Sequence, residues 1–342
     1  MTATSGSGST AAISRVVVRA PNWLGDAVMA LPAMAAVRAA YPRARLDVAA
    51  IASVAPQFHE GSSVAPDGVL VVDKDHEADQ LRAPGFELAI LLPNSFRTAW
   101  LARRAGVAER WGYAASFRGP LLTRAVRRPR GRLHQSEYYR HLTRALDCAD
   151  VDPIPAVTVL PGTSARAAAL LEEAGAGGRP LVGFAPGAAY GHAKRWPPAR
   201  VAALVERLAR YGVDCVLVGA ADDRGAGREI ESALPRGARA IDLIGRTDLR
   251  MLMGVLARCA AFVSNDSGAM HLAAAVGVPV TAVFGPTDER ATAPLGPHDV
   301  LVHQVFCRPC MLRDCPIDHR CMKGITVDDV YASVTRHLAG AR

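Results

Sequence analysis

The sequence predicts an α/β protein built from two doubly wound domains with parallel sheets. Short runs rich in Val, Ile and Leu alternate with helical patterns along the whole chain, and each half of the chain has its own series of such alternations. The apolar runs are continuous, as expected for strands that helices cover on both faces. The length of 342 residues suits two domains of about 150 residues each.

In the first half, helices are predicted at Asp26–Ala40 and Ser95–Ala105, and Pro32 should kink or restart the first of them. The predicted strands of this half are Arg15–Arg19, Leu46–Ile51, Val69–Asp73 and Leu88–Leu92.

In the second half, the helix Pro198–Tyr211 begins with prolines, carries an apolar stripe and stops at Gly212. A last helix, Val327–Leu338, is a candidate to pack back against the first domain. The predicted strands of this half are Leu181–Ala185, Asp214–Val218, Ala240–Ile244, Ala261–Ser264 and Val280–Phe284.

Composition sets the predicted domain limits. Residues 1–14 are rich in Ser, Thr, Gly and Ala and are expected to form a flexible leader, because no basic segment precedes an apolar one as in a signal peptide. The first domain should span 15–150, the three prolines of 151–162 mark a linker, and the second domain should span 163–342. No apolar run reaches the roughly 18–20 residues that cross a bilayer, so a cytoplasmic protein is expected.

The net charge of +8 comes almost entirely from arginine, since only three of the 40 basic residues are lysines. Residues 97–144 hold 12 arginines against Glu109 and Glu137. Such a patch fits an anionic partner, whether nucleic acid, phospholipid headgroups or a phosphorylated glycan. The alternative is a solvated surface in a chain that favours Arg. Aromatic residues make up only 6% of the chain, which disfavours an RNA-stacking platform.

The first candidate motif, Asn22-Trp-Leu-Gly-Asp26, lies between the first strand and the first helix. Gly25 allows a tight turn, and the loop lacks the glycine pattern of a dinucleotide fingerprint. Asp26 has two interpretations: a helix N-cap, or a general base at the carboxyl edge of the sheet.

The second motif, residues 185–197, follows the first strand of the second domain. Gly187 and Gly191, with the Lys194-Arg195 pair close to a helix start, indicate a phosphate-binding loop. Lys194 is informative because Arg would be the expected occupant in a chain with so few lysines, and a compact ammonium can enter a narrow site.

The third motif, residues 263–273, ends a strand and opens a helix whose free amides suit a pyrophosphate. Asp266 is either an N-cap or an acceptor for sugar hydroxyls, and His271 either reaches the ligand or bonds a core carbonyl. The loop Phe284-Gly-Pro-Thr287, after the next strand, should lie beside it.

A cysteine-rich segment, 307–321, holds Cys307, Cys310, Cys315 and Cys321, with His319 inside it. Thiolates at short spacing can hold zinc, although the second spacing is unusual for a zinc site. Packing thiols or a redox-labile disulfide are the other interpretations, and a structural disulfide is disfavoured in a reducing compartment.

Taken in order, these motifs resemble the ADP-heptose:lipopolysaccharide heptosyltransferases of glycosyltransferase family nine, above all those of heptosyltransferase II type. The resemblance spans roughly residues 15–338. It implies the GT-B fold, in which two Rossmann-like domains with parallel sheets face each other. It also implies that the first domain binds the acceptor and the second the nucleotide-sugar, and that transfer is inverting and needs no metal or other cofactor.

The resemblance also implies roles for individual residues. Asp26 matches the catalytic base, Lys194 matches the lysine that contacts the donor phosphates, and Thr247 falls where the family lines the adenine pocket. No metal ligand is implied for catalysis. The full predicted substrate-binding set is Gly25, Gly187, Thr247, Asp266, Ser267, Gly268, His271, Gly285 and Thr287.

The partners implied are ADP-heptose, an anionic, lipid-linked saccharide and the inner membrane surface, where the protein would be peripheral at the cytoplasmic face. The implied product is the lipopolysaccharide inner core with its second heptose added. Nucleic acid is not expected. The alternative within the family is a different nucleotide-sugar or acceptor. A distant alternative is a non-catalytic basic protein that binds RNA or membranes.

Overall fold

The structure is a computed structural model that describes residues 13–340. Its strands are β1 (Arg15–Arg19), β2 (Arg45–Ala50), β3 (Gly61–Ser62), β4 (Gly68–Val71), β5 (Leu88–Leu91), β6 (Glu109–Tyr113), β7 (Arg124–Val126), β8 (Val157–Thr158), β9 (Leu181–Ala185), β10 (Asp214–Leu217), β11 (Ile241–Asp242), β12 (Ala261–Asn265), β13 (Val280–Phe284) and β14 (His298–Val302). Its α-helices are α1 (Leu24–Met29), α2 (Leu31–Ala40), α3 (Glu77–Arg82), α4 (Phe96–Arg104), α5 (Gln135–Ala145), α6 (Pro161–Glu173), α7 (Pro198–Arg210), α8 (Arg224–Ala233), α9 (Leu249–Leu256), α10 (Gly268–Ala275), α11 (Glu289–Thr292), α12 (Arg320–Lys323) and α13 (Val327–Gly340).

Two parallel six-stranded sheets of the same topology organise the chain. The first has the order β4-β2-β1-β5-β6-β7 and the second the order β11-β10-β9-β12-β13-β14. In each sheet the chain winds outward from a central strand in one direction and then in the other, which opens a crevice at the carboxyl ends of β1 and β5 and of β9 and β12. The predicted fold class of two parallel-sheet domains is therefore confirmed.

All nine predicted strands are present, and β1, β9 and β13 have the predicted bounds. Five strands were not predicted: β3, β6, β7, β8 and β14. They are only two or three residues long, as in β3, β7 and β8, or more polar than the central strands, so they lack the apolar run that marks a buried strand. The first predicted helix is divided, with α2 beginning at Leu31, so that Pro32 occupies its first turn, where a missing N–H costs nothing.

The expected position of the last helix is wrong. α13 packs against α7 and strands β12, β13 and β14 of the second sheet and not against the first domain. A buried hydrogen bond of 2.6 Å between Thr281 Oγ1 and Ser333 Oγ joins it to β13. Its inward face supplies Val330, Val334 and Leu338 to the core of the second domain.

The domain limits at 15–150, 151–162 and 163–342 stay predictions. Of the predicted leader, residues 1–12 lie outside the described residues, and the Ser14 N–H donates to Glu87 at 2.7 Å. No helix within the described part of the chain is long and apolar enough to cross a membrane.

A buried carboxylate joins the two halves of the chain. Glu60, just before β3, accepts hydrogen bonds from Leu160 N at 2.6 Å and Thr163 Oγ1 at 2.8 Å. It also pairs with Arg250 Nε of α9 at 2.8 Å. Burial by itself raises the pKa of Glu60, but these donors favour the charged form more strongly, so the net pKa lies below the ordinary value. Glu60 thus holds the first domain to α6 and α9.

We expect Glu60→Gln to lower the free energy of unfolding by about 2 kcal/mol at pH 7, because a charged acceptor with several partners is lost. The pKa of Glu60 is lowered on folding, so its contribution is complete above its unfolded pKa of about 4.3 and disappears as the pH falls through the folded pKa. Urea unfolding at a series of pH values measures both effects. The matched control is Glu206→Gln, which removes an ion pair within one helix and should cost less than about 0.5 kcal/mol. Equal losses in the two variants would contradict the role of Glu60.

Candidate active site

A cavity of about 540 Å³ lies where the carboxyl ends of the two sheets face each other. The first domain contributes the loop and helix that follow β1. The second domain contributes the loops after β9, β11, β12 and β13. Ten of the eleven residues predicted from the sequence line it: Gly25, Asp26, Gly187, Lys194, Thr247, Asp266, Ser267, Gly268, His271 and Thr287.

Two glycines set the distance between the domains at this cavity. A Cβ added to Gly25 of α1 would lie 2.8 Å from Cδ2 of His271 in α10. A Cβ added to Gly268 would lie 3.0 Å from the Leu24 Cβ and 3.2 Å from the Gly25 nitrogen. A methyl group at position 25 would force the His271 ring to move, and one at position 268 would be crowded, so glycine at both positions favours this close approach of α1 and α10.

Asp26 is a partly buried carboxylate in the first turn of α1. The helix begins at Leu24 and its N-cap is Trp23, so the N-cap interpretation of Asp26 is wrong, and its side chain makes no capping hydrogen bond. Burial alone raises the pKa of Asp26 from 3.8 to about 6. A carboxylate that is ionised at pH 7 and more basic than usual is suited to accept a proton.

Lys194 and Asp266 form a buried ion pair on the opposite wall. Lys194 Nζ lies 2.6 Å from Asp266 Oδ2, and Thr287 Oγ1 donates to the same oxygen at 2.7 Å. The N-cap interpretation of Asp266 is also wrong, because Ser267 is the N-cap residue of α10. The pair directs the lysine ammonium toward the start of α10 and joins three loops of the second domain.

The ring of His271 is buried in α10 and also lines the cavity, and both of its predicted roles stay predictions. Burial lowers the pKa of His271 to about 4, although the nearby Asp266 carboxylate acts in the opposite direction. The imidazole is therefore neutral at pH 7, and its ring faces Gly25 across the domain boundary.

The far end of the cavity is mostly apolar. Leu249 and Leu252 of α9 lie beside Thr247, the residue predicted for the adenine pocket. On the adjoining wall, a Cβ at Gly187 would overlap the Asp223 carboxylate, so the chain there needs glycine. Apolar walls with a few polar groups are typical of a pocket for a flat base.

Gly285 is the predicted residue that the structure keeps apart from the cavity. Its Cα faces Met322, and its carbonyl accepts a hydrogen bond from Arg308 Nε at 2.8 Å. Its neighbour Thr287 reaches the cavity instead. Gly285 therefore helps to hold the loop that carries Thr287 and does not line the cavity itself.

Sequence reasoning did not find that the cysteine-rich segment supports the cavity loops that follow β9 and β13. Arg308 is buried and donates to the carbonyls of Gly285 and Thr287. The Met311 carbonyl accepts from the Tyr190 hydroxyl at 2.9 Å, and Met311 also lines the cavity. No local pattern in the sequence signals these contacts, because each partner is more than 20 residues away.

The four thiols of this segment line one small cavity of about 20 Å³ together with His319. All four are free thiols in the structure, and the buried Nε2 of His319 has no hydrogen-bond partner among the described residues. Across residues 13–340, no group of three or more His, Cys, Asp or Glu side chains is arranged to hold a metal ion. Zinc at this position stays a prediction.

Two facing parallel-sheet domains, with a site at the carboxyl ends of both sheets, define a protein of the GT-B class. The family description "Glycosyltransferase family 9 (heptosyltransferase)" matches residues 77–320, and the chain belongs to this family. It is therefore a glycosyltransferase, and the non-catalytic alternative does not hold.

Named relatives agree with this assignment. The chain is 31% identical over 306 residues to lipooligosaccharide heptosyltransferase 2 of Haemophilus influenzae, covering 85% of this chain and 88% of the relative. It is 32% identical over 302 residues to lipopolysaccharide heptosyltransferase 2 of Escherichia coli, with coverage of 82% and 85%. The solved structure of E. coli ADP-heptose lps heptosyltransferase II superimposes with a TM-score of 0.83 at 29% identity, over 95% of this chain and 99% of that one.

We expect Asp26→Asn to stabilise the folded protein by about 1–3 kcal/mol at pH 8, because it removes a partly buried charge that has no partner among residues 13–340. The pKa of Asp26 is raised on folding, so the destabilisation develops between pH 3.8 and about 6 and is complete above that. Unfolding at pH 8 and at pH 4 measures the difference, which should vanish at the lower pH. The control is Asp75→Asn, an exposed carboxylate. A variant less stable than wild type at pH 8 would show that Asp26 has a stabilising partner.

Proposed function

We propose that this chain is an inverting heptosyltransferase that moves heptose from ADP-heptose to the inner core of lipopolysaccharide, adding the second heptose. The observation that carries the proposal is that one cavity is lined both by Asp26, a carboxylate with a raised pKa, and by Lys194, whose ammonium is held by Asp266 just before α10. The names of the Haemophilus influenzae and Escherichia coli relatives, both heptosyltransferase 2, support the choice of sugar and product.

In this proposal Asp26 is the general base. The acceptor hydroxyl attacks the anomeric carbon of the donor from the face opposite the departing ADP, in a single displacement with an oxocarbenium-like transition state. The proton of the hydroxyl passes to the Asp26 carboxylate, the new C–O bond forms and the bond to ADP breaks. Because the pKa of Asp26 is about 6, the group is ionised at pH 7 and remains basic enough to accept this proton.

Charge on the departing diphosphate is stabilised from the second domain. The Lys194 ammonium and the free amides at the start of α10 supply positive charge at the same point of the cavity. The Asp266 carboxylate would repel a diphosphate, so we assign it to holding Lys194 and accepting hydrogen bonds from the sugar hydroxyls. With these groups in place, the reaction as proposed needs no divalent cation and no other cofactor.

The acceptor is assigned to the first domain, where arginines follow β7. Four of them are exposed: Arg127, Arg128, Arg130 and Arg132. Arg124 does not belong with them, because it pairs with Asp147 at 2.6 Å. The exposed four fit an anionic, lipid-linked saccharide at the cytoplasmic face of the inner membrane, and we propose no nucleic-acid partner.

This surface also touches the donor domain. His134 Nε2 lies 2.9 Å from the Ala293 carbonyl, and Arg132 lies 3.5 Å from Asp288. Asp288 lines the cavity, so the arginine-rich loop reaches its mouth. An acceptor bound to this loop therefore lies close to Asp26.

We expect Asp26→Asn to lower kcat by about 10²–10⁴-fold while leaving ADP binding intact, because the amide cannot accept the proton. In the wild type, kcat/KM should fall roughly tenfold per pH unit below about pH 6, and the variant should lose this dependence. ADP release from ADP-heptose, measured with EDTA present, tests both results. The control is Asp214→Asn, because Asp214 is the first residue of β10 and so lies at the end of the strand away from the cavity. Near-normal turnover of Asp26→Asn would exclude Asp26 as the base.

We expect Lys194→Ala to reduce kcat/KM for ADP-heptose by about 10²–10³-fold, because a positive group beside the leaving diphosphate is removed. Steady-state kinetics at varied donor concentration measures this. Lys323→Ala is the matched control, since Lys323 is an exposed lysine of the same domain. An unchanged rate in Lys194→Ala would remove the lysine from the donor site.

A further inference from the structure

A buried ion pair lies at the start of the loop that carries Asp26. Arg19, the last residue of β1, and Glu77, the first residue of α3, are only 3% and 5% exposed. The Arg19 Nε lies 2.7 Å from Glu77 Oε1. Neither side chain lines the cavity, and neither has a part in the mechanism proposed above.

The surroundings of this pair are apolar. In the register of the sheet, Arg19 stands beside Ala49 of β2 and Leu91 of β5, and both neighbours are buried in one hydrophobic cluster. An aliphatic side chain at position 19 would suit these neighbours and would need no charged partner. Replacing a buried ion pair by apolar residues is often neutral or even stabilising, so the stability of the fold does not account for the pair.

The guanidinium of Arg19 also holds the turn that follows β1. One terminal nitrogen donates to the Ala20 carbonyl at 2.6 Å, and the other donates to Asn22 Oδ1 at 3.0 Å. Since Nε donates to Glu77, all three nitrogens of the planar group have an acceptor, and its orientation is fixed. A lysine has a single nitrogen and cannot reproduce this fork.

The path from Asn22 to Asp26 is short. The helix α1 begins two residues after Asn22, and its first turn closes where the Ala27 amide donates to the Trp23 carbonyl at 2.9 Å. The N-cap residue of α1 makes no side-chain capping hydrogen bond that could fix this end of the helix. The turn held by Arg19 therefore sets the direction in which α1 leaves the sheet, and with it the position of the Asp26 carboxylate.

We propose that the Arg19–Glu77 pair, acting through Asn22, positions the Asp26 carboxylate for transfer. Arg19 and Glu77 are positioning residues, because both lie outside the cavity in which the reacting atoms meet. A misplacement of about 1 Å can cost roughly 10²-fold in rate, which gives a physical reason for a rigid turn before the base. The inference rests on the proposed function, in which Asp26 is the general base.

The pH dependence of transfer reports on Asp26, because the two titratable side chains beside it keep their charge state between about pH 5 and 8. They are His271 of α10 and Tyr139 of α5, the helices that pack on α1. Burial lowers the pKa of His271 to about 4 and raises the pKa of Tyr139 far above its ordinary value. On the opposite wall, Lys194 and Asp266 are paired with each other. Burial alone holds the pKa of Asp26 at about 6, so a loosened turn that admits water should lower it.

The variant Asn22→Ala tests the proposal, because Asn22 is exposed and its loss should leave the fold intact. We expect kcat to fall about tenfold while the KM for ADP-heptose stays within about twofold, since the donor is assigned to the second domain. The midpoint of the acid limb of kcat/KM should move from about pH 6 to a value about one pH unit lower. Glu77→Gln breaks the buried pair itself and should change kcat and the midpoint in the same direction.

The matched control is Asp79→Asn. It removes an exposed ion pair with Arg82 on the helix that carries Glu77, and it should leave kcat, KM and the midpoint at their wild-type values. Urea unfolding shows whether each variant is folded. If Glu77→Gln does not fold, Arg19→Lys replaces it, because its ammonium still faces Glu77 but cannot also hold the turn, so kcat should again fall about tenfold.

A titration without substrate separates this inference from the proposed function. Carbon-13 NMR of labelled aspartate gives the pKa of Asp26 directly, and the signal lost in Asp26→Asn identifies the residue. Wild type that releases no ADP from ADP-heptose would overturn the proposed function, and the titration would still decide the positioning role. In folded Asn22→Ala, either an unchanged pKa of Asp26 or an unchanged kcat in an active enzyme would overturn that role. A raised KM with unchanged kcat would do so as well, because Asn22 would then bind the substrate itself.

Discussion

The arrangement of the cavity depends on the close approach of α1 and α10. Asp26 and Lys194 come from different domains, so neither sheet alone can place them in one cavity. Glycines at 25 and 268 let the two helices meet with backbone against side chain, and the buried ring of His271 fills the space beside Gly25. The contact sets the width of the cavity and thereby the distance that the reacting groups must span.

The two carboxylates on either side of this contact, Asp266 and Asp26, have different surroundings. In the second domain, Asp266 is fully engaged, with Lys194 and Thr287 both directed at one carboxylate oxygen. In the first domain, Asp26 is partly buried, and this burial raises its pKa. In the mechanism that we propose, the stabilised pair holds the loops of the second domain in position, while the destabilised carboxylate keeps its basicity for the reaction.

The carboxyl edge of the first sheet serves two purposes through neighbouring loops. The loop after β1 carries Asp26 into the cavity, while the loops after β5, β6 and β7 carry exposed phenylalanines and arginines. In a parallel sheet all of these loops leave on the same side. Asp26 and the surface that we assign to the lipid-linked acceptor therefore lie on the same side of the first sheet, and no further element is needed to bring them together.

The sequence by itself determined the two-sheet architecture, because strands covered on both faces need continuous apolar runs, and it located most of the cavity, because loops at the carboxyl ends of parallel strands converge. The tertiary structure alone decided that Gly285 supports its loop from outside the cavity, that Arg124 is paired with Asp147, and that Arg308 holds the donor loop. It also decided that Phe117 faces water. The reason is that each of these outcomes depends on contacts between residues distant in the chain, which no local spacing or composition records.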